Sequence, residues 1–343
     1  MDQPGVIGFD IAKSFFQVHG VDDTGSAIVR RKLRRAQIEE YFSQLKPTLV
    51  GLEACGSSHH WARILTRLGH SVKIVPARFV KPFLKSNKSD ANDAEAICDA
   101  VQRPNMRFVP IKSELQQAVL MVHRTRDLLT RQRTMMSNAL RGHFAEFGIV
   151  APAGPAGIAQ LLKLLQNAEV SEIPNIAQDA LRLLAGQIRS LSASIKRCES
   201  KIMQWHRKSR ESQRLATIPG VGPLTATALV ATIGDARQFQ SGRQLAAWIG
   251  LVPKQLSSGG KPRLGGISKR GNSYLRTLLF LGARASMRFG DRSKARCVQW
   301  AMALSERKPF RVAAIALAAK MARIAWALLR RDQDFRFQIS TPI

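Results

Sequence analysis

Two short apolar runs, each closed by a carboxylate, constrain this chain more than any other feature of its sequence. Val6-Ile7-Gly8-Phe9-Asp10 and Thr48-Leu49-Val50-Gly51-Leu52-Glu53 read as buried strands that each end in an acid. Between them, Phe15 to Val21 and Ala27 to Leu33 read as two more strands joined by the hairpin turn Asp22-Asp23-Thr24-Gly25. Ala36 to Leu45 and Ser57 to Leu68 have helical composition, Ser71 to Pro76 reads as a further strand and Asp90 to Val101 as a helix. A three-stranded meander followed by alternating helices and strands describes a mixed α/β sheet for residues 1–110.

The next stretch, 111–212, is helical. Leu115 to Phe144 carries apolar residues at helical spacing, and the segment from Ala151 to Gly157 breaks it. Ile176 to Trp205 repeats Leu181, Leu184, Ile188, Leu191, Ile195, Cys198 and Ile202 at steps of three and four. That spacing predicts a helical hairpin or a coiled coil, with an ordinary core helix as the plainer reading. Residues 213–343 open on Ile218-Pro219-Gly220-Val221-Gly222-Pro223-Leu224-Thr225, where one helix stops and another starts. Gly220 and Gly222 would free backbone N–H groups, and the second helix would present its N-terminal dipole, both suited to a phosphate. This is the pattern of a helix-hairpin-helix grip on a DNA backbone; the alternative is a structural turn. Thr225 either caps the second helix or meets the phosphate.

Charge points to the partner. The chain has 343 residues with 53 Lys and Arg against 24 Asp and Glu, a formal net charge of +29. The excess is +5 in residues 1–110, +7 in 111–212 and +17 in 213–343. Such a balance calls for a polyanion: nucleic acid first, an anionic membrane surface second. At 45% hydrophobic residues there is enough apolar mass for sizeable cores, which excludes long disorder. Cys55, Cys98, Cys198 and Cys297 form no CxxC pair, so they are expected to be reduced and buried in a cytoplasmic protein without a zinc knuckle or disulfide framework. With no basic stretch followed by an apolar run in MDQPGVIGFD, no secretory signal is expected. Val312 to Leu329, interrupted by Lys320 and Arg323, reads as an amphipathic or core helix rather than a membrane span.

Two constellations can carry chemistry. Asp90 and Asp93, three apart at a helix start, can face the same way, and adjacent strand ends can bring Asp10 and Glu53 beside them. Converging carboxylates repel one another, and divalent cations resolve that repulsion; two Mg²⁺ ions so held can clamp the oxygens of a phosphodiester. Taken singly, each acid has a plainer role, as a helix cap, a first-turn acid or a solvated strand end. The joint pattern is the ribonuclease-H-like arrangement. The second constellation is Leu256 to Asn272, which interleaves Ser257 and Ser258 with glycines and with Lys261, Arg263, Lys269 and Arg270. Gly-rich backbone can lie against phosphate, the cations can stabilise pentacovalent charge, and a serine can attack; on composition alone a flexible basic loop fits better. His59 and His60 are adjacent and point to different helix faces, so a shared ligand role is not expected. Trp248, Trp300 and Trp326 are expected in the core rather than as stacking platforms.

GFDIAK, GLEACG, KSDANDAEAI, the IPGVG hairpin and AWIGLVPKQLSSGGKPRLGGISKRGNSYLR together resemble the insertion-sequence-110 transposases, and more narrowly their insertion-sequence-1111 branch. These are DEDD recombinases related to Piv-type DNA invertases, and the likeness covers nearly the whole chain. It implies an N-terminal RuvC-like (ribonuclease-H-like) α/β domain at 1–110, a helical coiled-coil dimerisation region at 111–212, and a mainly α transposase domain with the helix-hairpin-helix and serine loop at 213–343. It places the acid tetrad on Asp10, Glu53, Asp90 and Asp93, binding Mg²⁺ (or Mn²⁺), and the nucleophile on Ser258, next to Ser257. It further implies a covalent 5′-phosphoserine link to DNA. A homo-oligomer, dimer or tetramer, would complete the site, and a bridge RNA would pair with donor and target DNA. Base pairing would then read sequence while the protein holds backbones, with Gly220, Gly222, Thr225, Lys261, Arg263, Lys269 and Arg270 as the contacts. Two other readings stand beside it: a RuvC-like metal-dependent nuclease that releases free DNA ends, and a nucleic-acid-binding protein without activity, against which the complete tetrad argues.

Overall fold

A computed structural model describes residues 3–85, 89–167, 170–255, 263–290, 293 and 295–335. The chain divides into two compact units, Met1–Glu114 and Leu115–Ile343.

The first unit is a mixed α/β fold on a five-stranded sheet. Its strands are β1 (Val6–Asp10), β2 (Phe15–Val21), β3 (Ala27–Arg34), β4 (Leu49–Glu53) and β5 (Ser71–Val75), and its helices α1 (Ile38–Ser43), α2 (Ser58–Arg67), α3 (Ala77–Val80) and α4 (Asp90–Val101). The order across the sheet is β3-β2-β1-β4-β5. β1, β2 and β3 are antiparallel neighbours, while β4 joins β1 in parallel and β5 joins β4 in parallel. The β2–β3 turn is held by Asp22, whose Oδ1 accepts from the Thr24 and Ser26 N–H groups, with Gly25 at φ +83°. The helix expected from Ala36 is shorter, because its start is a 3-10 turn at Arg35–Gln37.

Strand alternation gives the sheet two unlike faces. Ile7, Phe9, Val50 and Leu52 point into a core with Phe16, Phe42, Trp61 and Leu65 from β2, α1 and α2. Phe9 stacks on Phe16 at 5.4 Å and meets Phe42 edge-on at 5.2 Å. The other face carries Val6, Gly8 and Asp10 on β1 and Leu49, Gly51 and Glu53 on β4, with Gly8 opposite Gly51 in register. Helix α4 lies directly on those glycines. A Cβ on Gly8 would come to 2.0 Å from the Ala94 carbonyl oxygen, and one on Gly51 to 2.8 Å from Val101 Cβ. Because Gly8 meets Ala94 and Cys98 while Cys98 Sγ lies 3.9 Å from the Val6 carbonyl, α4 runs antiparallel to β1. Its N-terminus therefore stands over the carboxyl ends of β1 and β4.

The second unit is almost wholly helical: α5 (Glu114–Ala145, its first residue in the first unit), α6 (Pro155–Gln166), α7 (Asn175–Lys208), α8 (Arg210–Ala216), α9 (Pro223–Ile233) and α10 (Gly242–Ile249), then the ribbon β6 (Pro253–Gln255) and β7 (Leu264–Ile267), then α11 (Ser273–Arg288), α12 (Arg296–Arg307) and α13 (Phe310–Arg331). α5 and α7 form an antiparallel pair. Arg126 Nε and Nη2 both donate to Glu199 Oε1 at 2.9 and 2.7 Å, and farther along Phe144 shares a core with Leu181 and Ala185. The segment Ala151–Gly157 separates α5 from α7 but also starts α6, with Gly154 at φ +96° and Pro155 at the first helical position. A buried clamp then joins α5, α9 and α11: His123 Nδ1 lies 3.0 Å from the Tyr274 hydroxyl and Nε2 3.0 Å from Thr227 Oγ1. Thr227 donates its proton to the Pro223 carbonyl, so the neutral imidazole donates through Nε2 and accepts from Tyr274. Burial, with Arg126 nearby, pushes the His123 pKa down to about 4.

α13 is the one helix, among the described residues, that is long and apolar enough to cross a membrane, with a mean hydropathy of 1.8. Its Ala313, Ala314, Leu317, Ala318, Met321, Ala322 and Ala325 are buried in the core of this unit. Cys98 and Cys297 are buried as expected, but Cys55, just past β4, is exposed, and all four cysteines are free. Trp326 is half-buried, its Nε1 donating to the Ala236 and Phe239 carbonyls. Trp248 and Trp300 depart from the expectation of a core position, with 37% and 39% of their surface exposed.

Two glycines test this description in opposite directions. Gly8→Ala should destabilise the protein by about 1–3 kcal/mol, because the methyl group meets backbone that cannot yield without moving α4. Gly186→Ala, in the middle of α7 with open space around it, should stabilise by about 0.5–1 kcal/mol. Urea unfolding of both variants measures the pair.

Candidate metal centre and nucleic-acid interface

Three of the four expected acids converge. Asp10, Asp90 and Asp93 each offer a carboxylate oxygen within 4.8 Å of the others. Asp10 arrives there as the last residue of β1, on the face that Gly8 leaves open to α4. Asp90 and Asp93 arrive on the first turn of α4, whose cap is Ser89; its side-chain oxygen accepts the Asn92 N–H at 3.3 Å. The plainer reading of Asp90 as the cap itself is thus replaced: the serine caps, and the acids are free to face the strand end. Glu53 closes the neighbouring parallel strand, where Leu52 is paired with Phe9. Its carboxylate falls outside the three-acid cluster, yet its charge reaches Asp10.

The electrostatics follow from this crowding. The Asp10 pKa is pushed up to about 6, first by burial, then by the charges of Asp93 and Asp90, with Glu53 adding a smaller push and the Ile11 N–H pulling the other way. A carboxyl held above its usual range by burial, and further by like charges, is a group that a divalent cation would relieve. Hard oxygen donors without thiol or imidazole suit Mg²⁺-type ions rather than zinc. His59 and His60 take no part: His59 Nδ1 accepts the Lys112 N–H, and His60 packs edge-on against Trp61.

Ser257, Ser258 and Lys261 lie outside the described residues, which stop at Gln255 and resume at Arg263. β6 and β7 form an antiparallel ribbon, with Pro253 opposite Ile267 and Gln255 opposite Leu264. Its base is fastened to the end of α10. The Ser268 N–H donates to the Val252 carbonyl, the Lys269 N–H to Gly250, and Arg276 Nη1 to Ile249. Gly271 (φ +144°) sits so close that a Cβ would be 2.0 Å from the Trp248 carbonyl oxygen. Arg263, just before β7, and Lys269 and Arg270, just after it, are exposed.

The hairpin residues separate. Gly220 (φ +82°) packs on Gly282 of α11, where a Cβ would lie 2.5 Å from its carbonyl oxygen. Its glycine is therefore explained by packing. Gly222 has open space around it and precedes α9 without a side-chain cap. Thr225 is buried in the first turn of α9.

A family model described as "Transposase", for the DEDD transposases of the IS110 group, matches residues 7–149. A second, "Transposase IS116/IS110/IS902 family", matches residues 212–297. A "Probable family 20 transposase" of Pseudomonas aeruginosa is 49% identical over 332 residues, 96% of this chain and 98% of that protein. The chain belongs to the IS110 family of transposases. It is also 40% identical to the transposase of insertion sequence element IS1111A of Coxiella burnetii, over 96% of this chain and 91% of that one. The IS1328 transposase of Yersinia enterocolitica is 39% identical, over 96% and 98%. The protein is thus an insertion-sequence transposase, an enzyme of DNA recombination.

Sequence reasoning passed over the two glycines that let this transposase build its acid cluster. The signal was there: Gly-x-acid recurs as Gly8-Phe9-Asp10 and Gly51-Leu52-Glu53, putting a glycine and an acid on one face of each strand.

The sign of the pH effect is set by Asp10. Its folded pKa of about 6 lies above the unfolded value near 3.8. Between those values the folded state keeps a proton that the unfolded chain has released, so stability falls as pH rises from about 4 to about 6. Without metal, Asp10→Asn should therefore be more stable than wild type at pH 7.5, by on the order of 1–3 kcal/mol. Added Mg²⁺ should raise the melting temperature of wild type more at pH 7.5 than at pH 5, and should leave Asp10→Asn nearly unmoved. Thermal melts in chelator and in Mg²⁺ at the two pH values measure all three effects.

Proposed function

We propose that this transposase is an RNA-guided DNA recombinase that joins a metal-assisted acid site to a serine nucleophile. The convergence of Asp10, Asp90 and Asp93 at the end of β1 is the observation that carries the reading. The first unit is then a RuvC-like domain of ribonuclease-H type. Asp10, Asp90 and Asp93, with Glu53 from the adjoining strand, hold Mg²⁺ (or Mn²⁺). When bound, the metal supplies Lewis-acid stabilisation of the charge that builds on a phosphodiester.

Ser258 is the nucleophile. Its Oγ attacks the scissile phosphorus; the new Oγ–P bond forms as the P–O3′ bond breaks. The departing 3′ oxygen takes up a proton and the serine gives one up, leaving a 5′-phosphoserine. A 3′-hydroxyl of the partner strand then attacks that phosphorus and releases the serine, which exchanges the strands without a high-energy cofactor. The anchored β6–β7 ribbon holds the two ends of the serine loop, and Lys261, Arg263, Lys269 and Arg270 supply cations for backbone phosphates. Gly222 and the start of α9 offer a further backbone contact, to which Gly220 and Thr225 contribute as packing.

The partners are donor and target DNA, a bridge RNA that reads both by base pairing, and further copies of the chain in a dimer or tetramer paired through the long helices of the coiled-coil region. The domains follow as 1–110, 111–212 and 213–343, and the enzyme acts in the bacterial cytoplasm, at the nucleoid. A net charge of +29 suits a protein that holds several backbones at once.

The test is a covalent-adduct assay. The chain is expressed with its whole native element, denatured, its DNA digested, and the peptides searched by mass spectrometry for a nucleotide mass. Wild type should carry the adduct on the peptide spanning Ser258; Ser258→Ala and Asp10→Asn should lose it, and Ser257→Ala should keep it. Deleting the element's non-coding end, and with it the guide, should abolish it too. Metal-dependent cutting without any adduct, unchanged in both serine variants, would make the protein a RuvC-like nuclease instead.

A further inference from the structure

Beneath the β6–β7 ribbon lies an open apolar groove of about 560 Å³. Val252 and the ribbon residues Pro253 and Ile267 form one wall, and the small and branched residues of α13 form the floor. Trp300 of α12 lines it with 39% of its surface exposed, while the Lys320 ammonium lies 4.4 Å from the centre of the indole. Arg243 and Arg323 complete the lining. Among the described residues, neither arginine nor Lys320 has an acidic partner, and the lining contains no carboxylate.

An apolar slot with a partly exposed indole, lined by two arginines that have no acidic partner among the described residues, matches a ligand that has a flat apolar body and an anionic edge. A second copy of the chain matches poorly, because residues 213–343 already carry a net charge of +17 and a copy would bring more cations to the slot. An extended, stacked duplex matches poorly too, since its bases are covered by their neighbours. A single unstacked nucleotide has both properties: its base can stack on an indole, and its phosphates can meet the cations. The volume lies within the usual range for small-ligand sites. The slot shares a wall with the ribbon whose two ends, Gln255 and Arg263, flank the loop bearing Ser258.

We propose that the groove between the β6–β7 ribbon and α12–α13 receives one unstacked nucleotide of the DNA strand being exchanged, its base against the part of Trp300 that lines the groove and its phosphates toward Arg243 and Arg323. This rests on the reading of the protein as a serine-loop recombinase. An extruded nucleotide held here would grip the strand beside the loop and free the neighbouring phosphate from the regular duplex. It also gives Trp300 a reason to remain at the surface.

The test compares two DNA duplexes of the same sequence and length, one fully paired and one with a single bulged nucleotide, binding to the full-length protein at one fixed salt concentration. Wild type should favour the bulged duplex by about 5- to 100-fold, the range for one base stacked on an aromatic side chain. Trp300→Ala and Val312→Glu should each remove that preference while leaving paired-duplex affinity within about twofold. The second variant places a carboxylate on an exposed lining residue, Val312, 49% accessible. Trp300→Phe and Val312→Lys should retain the preference. No preference in wild type, or an undiminished one in Trp300→Ala, would overturn the proposal. So would a bulge preference confined to RNA duplexes, or a loss of self-association by Trp300→Ala in sedimentation without DNA, which would assign the groove to a second copy. The serine chemistry is judged separately: a bulge preference that depends on Trp300, in a protein that forms no serine adduct, would retain the slot and remove the nucleophile.

Discussion

The first unit depends on one contact between backbones. Helix α4 touches the sheet at Gly8 and Gly51, with no side chain between the Ala94 carbonyl and the Gly8 Cα. That approach is closer than ordinary helix-on-sheet packing permits, and it brings the first turn of α4 down to the level of the strand ends. Asp90 and Asp93 reach Asp10 for that reason alone. The repulsion so created is held in place by the aromatic core on the opposite face, where Phe9, Phe16, Phe42 and Trp61 lock β1 to β2, α1 and α2. Stability stored in one face of the sheet supports electrostatic strain on the other, the usual arrangement at a functional site.

Small residues do comparable work in the second unit. Gly220 and Gly282 bring the hairpin against α11, Gly242 lets α10 approach Arg323 of α13, and the alanine face of α13 lies at the centre of the same core. Close backbone packing leaves little freedom for sliding. The His123–Tyr274–Thr227 clamp adds direction, because its hydrogen bonds are satisfied in only one arrangement of α5, α9 and α11. On this frame the β6–β7 ribbon is fastened at its base by Arg276, Gly250 and Gly271, with Lys269 and Arg270 exposed beside that base. An anchored base flanked by exposed cations suits a protein whose substrate is a long anion.

Much of this was legible in the residues. Strand alternation, the Asp22 turn, the long helical periodicities and the excess of cations each have local causes, and the strands and long helices stand within a few residues of where they were expected. The three acids that converge, Asp10, Asp90 and Asp93, stand out by residue type and spacing. Less legible were the features that depend on what faces them. The ribbon in the serine loop was missed because its strands are short, glycine-bearing and exposed, with no alternation to read. That Gly220 also packs on Gly282 was not legible, because a free glycine and a packed one are the same letter and Gly282 is far away in sequence. Trp248 and Trp300 were expected inside because tryptophan usually buries its ring, yet a half-exposed indole and a buried one also share a letter.

By itself, the sequence determined which chemistry this transposase has at its disposal: hard oxygen donors on two strands and a helix start, cations concentrated toward its C-terminal end, and a family likeness spread along nearly the whole chain. These depend on residue identity and local periodicity, which are written in order along the chain. Tertiary structure alone decided which of those residues meet. It brought Asp10, Asp90 and Asp93 within 4.8 Å while leaving Glu53 outside the cluster, turned Gly220 inward, and left Trp300 facing an open groove. The reason is physical: convergence and exposure are set by register and by the closest approach of distant backbones, quantities that no single stretch of sequence contains.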